Sequence, residues 1–160
     1  TFAGNINAVA GGINLGATGA ANLLDDYEEG TWTVTLYDAT SGGNASATTT
    51  TGNYTKVGRL VTATFGGQLS NINTAGMIAG NPLAMSLPFS AGSSGRSCGA
   101  IVPSEIALTG TGLNVAVGAS ASRAYLRASG TGAGITSIIV SDLTSGASDI
   151  GDLSLTYMTD

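Results

Sequence analysis

Thr31-Trp32-Thr33-Val34-Thr35-Leu36 is the segment that decides the fold class of this 160-residue chain. Its large apolar residues occupy every second position, and threonines occupy the positions between them. Successive side chains of a β-strand point to opposite faces, so this alternation predicts a strand with one buried and one exposed face. The segment therefore indicates a β-sheet protein.

The same alternation recurs along the chain, which predicts a protein built from many short strands. It is present in residues 60–65, 84–89, 113–117, 123–128 and 153–158. The apolar run from Ile135 to Val140 predicts a more fully buried strand. Segments rich in Gly, Ser, Asn and Thr separate these stretches, and no window has the period of a helix. Seven or eight short strands with frequent turns predict an all-β head domain with a β-sandwich or jelly-roll-like fold.

The scarcity of charge predicts that copies of the chain cover part of each other's surface. Charged residues make up 9% of the sequence, against about 25% in an average globular protein. Disorder usually combines low hydrophobicity with high net charge. Here the net charge is only −5, and alternating apolar segments recur. We therefore expect a folded oligomer.

Several functional classes are disfavoured by what the sequence lacks. Five basic residues cannot form a patch that neutralises a nucleic-acid backbone. No apolar run approaches the roughly 18 residues needed to span a bilayer, so membrane insertion is not expected. The absence of His and the single Cys98 remove His-dependent catalytic triads and the usual zinc ligands. These observations predict a protein that is not an enzyme and needs no cofactor.

The first 24 residues have a different composition from the rest. They consist of short apolar triplets set among Gly and Asn, too small to form a core alone. Three such segments wound together would bury them. We therefore expect residues 1–24 to be the extended end of a fibre stalk and residues 25–160 to form the head domain.

Two segments of the chain resemble a known family. Leu23-Leu24-Asp25-Asp26-Tyr27-Glu28-Glu29-Gly30-Thr31-Trp32 closely resembles the LDDYEEGTWTP-type junction of phage tail-fibre and related virion proteins. Residues 52–65 resemble the GxYTKIGxLVTVxF strand pair of the same proteins, with looser similarity at 83–89 and 152–159. Val34 replaces the family's usual Pro, so we expect it to extend the first strand.

The resemblance implies an intertwined homotrimer at the distal end of a phage fibre. Such a domain would be part of the virion, joined to other virion proteins through its N-terminal side. It would trimerise the fibre and attach it to a host-surface polysaccharide. Two other roles stay open: a purely structural head-decoration or fibre-assembly module, and the non-catalytic C-terminal domain of a polysaccharide-degrading tailspike.

The acidic cluster in the junction segment is a candidate metal site. Its members are Asp25, Asp26, Glu28 and Glu29. Closely spaced carboxylates can ligate Ca²⁺, and a carboxylate pair can hydrolyse glycosides. However, the cluster lacks the alternating Asp, Asn and Gly of a calcium loop, and catalytic carboxylates usually face each other across a groove. A solvated turn whose charges pair with Lys56 or Arg59 is therefore favoured.

Candidate ligand or interface residues come from two further patterns. Lys56 and Arg59 flank the tight turn at Val57-Gly58, where they could meet an acidic sugar or, as we favour, an acidic group of the same or a neighbouring chain. Arg123, Tyr125 and Arg127 share one strand face, for which we favour a subunit interface over an exposed face without a role and over a site for an acidic glycan. Tyrosines near turns could contact sugars. The full candidate set is Tyr27, Tyr54, Lys56, Arg59, Arg123, Tyr125 and Arg127, with Tyr37 as a further exposed tyrosine.

Overall fold

A computed structural model describes most of the predicted head domain. It covers residues 13–14, 23–24, 26–40, 49–104, 106, 112–130, 134–144, 146 and 149–160. Strands dominate these residues, and the only helical element among them is a 3-10 turn at Val140–Asp142. The prediction of an all-β fold is confirmed. Within these ranges no helix has the length and apolar character required to cross a membrane.

Eleven strands are present in the described residues. Two of them, β1 and β2, pair only with each other, and the other nine form one sheet. Their bounds are β1 Ile13–Asn14, β2 Leu23–Leu24, β3 Tyr27–Asp38, β4 Thr49–Val57, β5 Leu60–Leu69, β6 Leu83–Ser86, β7 Ser97–Ser104, β8 Gly112–Val117, β9 Arg123–Ser129, β10 Thr136–Ser137 and β11 Asp149–Met158.

Eight of the strands close into an antiparallel barrel. Their order is β6-β3-β4-β5-β11-β7-β8-β9, and β9 pairs with β6 to complete the circle. Each half of this order is a Greek key, since the fourth strand of each set returns beside the first. The halves are β6-β3-β4-β5 and β11-β7-β8-β9, and they meet at the β5–β11 and β9–β6 pairs.

The predicted sandwich or jelly-roll arrangement is not confirmed, because the strands form a closed barrel. Jelly rolls also contain two Greek keys, but they divide their strands between two packed sheets. Alternation along one strand shows which residues are buried and does not show which strands are neighbours. The sequence therefore could not distinguish a barrel from a sandwich.

The core consists of the inward-facing residues of the barrel strands. Val61, Phe65, Val115 and Leu155 are buried as the alternation predicted, while Trp32 and Leu87 are partly buried and pack against the core. The predicted strand at 135–140 is wrong in extent: only Thr136–Ser137 is a strand, and Ile135 is 75% exposed. The chain leaves the sheet there because it turns at Val140–Asp142, which still buries Ile138 and Val140.

Most of the predicted stalk lies outside the described residues. Its described parts are Ile13–Asn14 and Leu23–Leu24, which pair antiparallel with Ile13 opposite Leu24. The division of the chain at residue 24 stays a prediction.

Candidate functional site

The two segments that resemble fibre proteins form one continuous piece of the barrel wall. The junction segment, which ends at Trp32, supplies the first half of β3. The second segment, residues 52–65, supplies most of β4 and the first half of β5. β4 pairs with β3 on one side and with β5 on the other. The turn between β4 and β5 has Gly58 at φ +56°, the left-handed conformation that a tight hairpin turn requires there.

Reciprocal pairs of an aromatic residue and a glycine connect β3 and β4. Gly30 lies opposite Tyr54, and Trp32 lies opposite Gly52. A Cβ atom at Gly30 would lie 2.6 Å from Tyr54 Oη, and one at Gly52 would lie 2.3 Å from Trp32 Cζ3. Each glycine thus leaves room for the ring of its partner strand. The conspicuous glycine and aromatic residues of both segments therefore have a packing role.

The three described members of the acidic cluster do not act as a unit, because each has its own partner. Asp26 forms an ion pair with Lys56, whose side chain is 13% exposed. The hydroxyl of Tyr54 donates a hydrogen bond to Glu28, and the hydroxyl of Tyr27 donates one to Glu29. These hydrogen bonds to carboxylates raise the pKa of both tyrosines.

The geometry of β3 explains why these carboxylates do not converge on a cation. Glu28 and Glu29 are consecutive strand residues, so their side chains point to opposite faces. Asp25 lies outside the described residues. Across the described ranges, no group of three His, Cys, Asp or Glu side chains is arranged to hold a metal ion.

Lys56 and Arg59 occupy different surroundings although they flank the same turn. The Lys56 ammonium lies 5.8 Å from the centre of the Phe89 ring, and that ring packs edge-on against Tyr54 at 5.0 Å. Arg59 Nε donates to the carbonyl of Thr159 at 2.8 Å, and its guanidinium lies 3.9 Å from Asp160. Hydrogen bonds from Ser93 to Asp160, helped by the Arg59 charge, lower the pKa of Asp160.

An exposed apolar row lies on the outer wall beside this turn. Four residues in cross-strand register form it: Tyr27 on β3, Val57 on β4, Leu60 on β5 and Met158 on β11. Each is between 39% and 59% exposed. Next to the row is a recess of about 390 Å³ between β3 and β4, lined by Glu29, Gly30, Thr31, Asn53, Tyr54 and Thr55.

A second surface lies on the wall of the barrel formed by β3, β6 and β9. Tyr37 lies opposite Ala84, and Ala84 lies opposite Tyr125, so the two tyrosines are separated by one strand. Arg123 and Arg127 lie on either side of Tyr125 on the same face of β9, as the sequence predicted. We call Tyr37, Arg123, Tyr125 and Arg127 the Tyr–Arg surface.

Both arginines of the Tyr–Arg surface stack on tyrosine rings. The Arg123 guanidinium carbon lies 5.8 Å from the centre of the Tyr37 ring, and that of Arg127 lies 5.4 Å from the centre of the Tyr125 ring. Arg123 Nη1 donates to the Ala39 carbonyl at 2.6 Å, and Arg127 Nη1 donates to Ser137 Oγ. Burial raises the pKa of Tyr37, and the Arg123 charge opposes that rise.

The sequence placed three of these four residues together and could not add the fourth. Tyr37 is 86 positions before Arg123, and only the β3–β6–β9 pairing brings the two strands onto one wall. In contrast to Lys56 and Arg59, neither Arg123 nor Arg127 forms an ion pair with a carboxylate of the described residues.

No family model, no curated protein and no solved structure matches this chain. The likeness to phage fibre proteins therefore stays a prediction that depends on the two sequence segments.

Proposed function

We propose that this chain is the trimeric end domain of a phage virion fibre, which attaches to a host-surface polysaccharide and catalyses no reaction. The observation that carries the proposal is the relation between the two fibre-like segments. They are 20 positions apart, measured from Trp32 to Gly52, yet they form adjacent strands whose glycines and aromatic rings fit each other. A shared packing unit supports the view that both segments come from one family of domains.

Formation of a trimer is supported by the outer wall of β3, β4, β5 and β11. Its outward positions include Thr31, Asn53, Thr64 and Ser154, which lie in one cross-strand row and carry no charge. The exposed apolar row lies four residues further along each strand. Contact between copies at the apolar row would remove four partly exposed apolar side chains per chain from water.

A role without catalysis is supported by the partners of the acidic side chains. Asp26 neutralises Lys56, and Glu28 and Glu29 accept hydrogen bonds from tyrosines. General acid and general base carboxylates of a glycosidase instead flank a substrate groove. The complete absence of His in the sequence agrees with this assignment.

Attachment by many weak contacts fits this domain. Its recess between β3 and β4 is lined by polar and glycine residues and by one tyrosine, a surface suited to sugar hydroxyls. Weak sites gain strength when three copies per fibre bind a repetitive polysaccharide together. Residues 1–24 would join the domain to the remainder of the virion.

The test uses the full chain in two measurements. Sedimentation equilibrium should give three times the chain mass, and an array of bacterial lipopolysaccharides and capsular polysaccharides should give specific binding. A monomer at all concentrations would contradict the trimer. A trimer that binds no polysaccharide would show that the domain serves fibre assembly alone.

A further inference from the structure

We infer that the Tyr–Arg surface is a binding site for an acidic saccharide, in which the arginines bind a carboxylate or phosphate and the tyrosine rings pack against the sugar. The inference rests on the proposed attachment function and specifies its ligand class. It depends on the charges, the partners and the spacing of the four residues.

The first argument is the local excess of positive charge. The chain has ten acidic and five basic residues, yet two of the five bases lie on one face of β9 with no carboxylate partner among the described residues. No carboxylate of the described residues neutralises either guanidinium, so the attraction between unlike charges favours an anionic ligand at this surface.

The second argument concerns the other possible partner, a copy of this chain. Every described carboxylate already accepts a hydrogen bond or forms an ion pair, so a copy would offer the arginines carboxylates whose acceptor capacity is partly in use. The eight residues are Asp26, Glu28, Glu29, Asp38, Asp142, Asp149, Asp152 and Asp160. A small anionic ligand offers all of its oxygens.

The third argument is that the guanidinium groups are held in place before a ligand binds. Each one stacks on a tyrosine ring, and one nitrogen of each donates to an acceptor of the same chain. A guanidinium has five N–H donors, so several remain for the two oxygens of a carboxylate or phosphate. Side chains that are already ordered lose less conformational entropy on binding.

The fourth argument is the shape of the surface. Tyr37 and Tyr125 are two strand spacings apart, about 10 Å, and Ala84, which lies opposite both on the strand between them, is fully buried. Beyond Arg127 the surface continues into a recess of about 210 Å³, whose lining includes Cys98, Asn114 and Ile135. The surface is therefore long enough for more than one sugar ring and mostly apolar at its far end.

The experiment compares charged and neutral forms of the same saccharide. Trigalacturonate would be titrated into the full chain by calorimetry, with fully methyl-esterified trigalacturonate as the neutral control. Glucose 1-phosphate and methyl glucoside form the second pair and distinguish phosphate from carboxylate. We expect at least one acid to bind in the millimolar range or more tightly and its neutral counterpart to bind at least about tenfold more weakly, because hydrogen bonds to charged groups are the stronger ones.

Variants locate the binding. Arg123→Gln and Arg127→Gln should each weaken binding of the acid by about tenfold, the effect of losing one charge-assisted hydrogen bond. Arg127→Lys should recover only part of the loss, because an ammonium lacks the planar pair of donors. Arg96→Gln is the matched control, since Arg96 is exposed and outside the Tyr–Arg surface; it should leave binding unchanged. Urea midpoints would verify that all variants fold.

Several results would overturn the inference. Equal binding of acid and neutral forms, or equal affinity of wild type and both Gln variants, would exclude the Tyr–Arg surface as the site. A change in sedimenting mass of the Gln variants would identify a subunit interface instead. If only neutral polysaccharides bind, the inference fails and the attachment function stands. If no saccharide of either kind binds, both the inference and the proposed attachment function fail.

Discussion

The indole ring of Trp32 on β3 occupies the space above Gly52, the residue directly opposite it on β4. Three ring carbons lie within 2.7 Å of the position that a Cβ atom on Gly52 would take. No side chain fits there while the ring stays in place. Because Trp32 is the only tryptophan of the chain, its fluorescence reports on this contact alone.

Gly52→Ala should therefore destabilise the barrel and displace the ring. We expect a loss of about 1–3 kcal/mol, typical of overpacking, together with a red shift of the tryptophan emission. Urea denaturation followed by fluorescence measures both. Gly66→Ala is the control, because the nearest atom to its added Cβ would be Asp152 Oδ1 at 3.9 Å. Equal urea midpoints for the two variants would show that Trp32 adapts without cost.

The Asp26–Lys56 ion pair should matter more for stability than the Arg59–Asp160 pair. Lys56 is largely buried, whereas both side chains of the second pair are more than half exposed. Asp26→Asn should cost about 1–2 kcal/mol, because it leaves the ammonium without its counter-charge. Asp160→Asn should have a smaller effect on stability, because solvent screens this exposed pair. Thermal melts of both variants at low and high salt would test this order, and a reversed order would contradict it.

The stability of the fold should decrease at alkaline pH through Tyr157. This phenol is buried, donates to the Phe89 carbonyl at 2.9 Å and accepts from the Phe89 amide at 3.1 Å. Burial raises the pKa of Tyr157 to about 12 from the ordinary 10.0. Its neutral form therefore contributes stability that is complete below pH 10 and is lost as the pH rises through 12.

Tyr157→Phe should reduce the loss of stability at alkaline pH. The variant should be about 1 kcal/mol less stable at neutral pH, since Phe89 loses both hydrogen bonds, but its urea midpoint should fall less steeply above pH 10. Urea titrations at a series of pH values between 8 and 11 provide the comparison. Parallel curves for variant and wild type would assign the alkaline loss to other groups.

The exposed apolar row predicts which substitution would break the trimer that we propose. Leu60→Glu should raise the dissociation constant of the trimer by more than about tenfold, because an unpaired charge in an interface is costly. The fold itself should tolerate the change, since Leu60 is 44% exposed. Ile78→Glu, at a position that is 57% exposed between β5 and β6, is the matched control. Sedimentation velocity over a concentration series would compare the two variants. An equal effect of both would exclude the row as the interface.

The sequence predicts strands well where inward positions carry large side chains. The segments around Val34, Val61, Val115 and Leu155 alternate clearly, and all four residues are buried. β7 was missed because its inward position Gly99 has no side chain. A Cβ there would lie 2.5 Å from the carbonyl oxygen of Ser154 on β11, so the close strand approach removes the apolar signal.

Asp38 shows a second limit of sequence patterns. It occupies the inward position after Val34 and Leu36 and is fully buried. It accepts hydrogen bonds from the amides of Thr40 and Ile78 and from Asn81 Nδ2. Thr40 is two positions away, but Ile78 and Asn81 lie 40 and 43 positions further along the chain, so alternation alone could not predict that a carboxylate would be satisfied there. For the same reason the sequence could not add Tyr37 to the three residues of β9 in the Tyr–Arg surface, because Tyr37 meets Arg123 only through the strand order.

The pairing of β5 with β11 has a consequence for synthesis of the protein. The β5–β11 pair joins residues 60–69 to residues 149–158. It therefore cannot form until β11 has left the ribosome. A chain that stops before Asp149 leaves the edges of β5 and β7 unpaired, and open strand edges promote aggregation. Only chains translated through Met158 can close the barrel, so a chain truncated before β11 should expose open strand edges and aggregate.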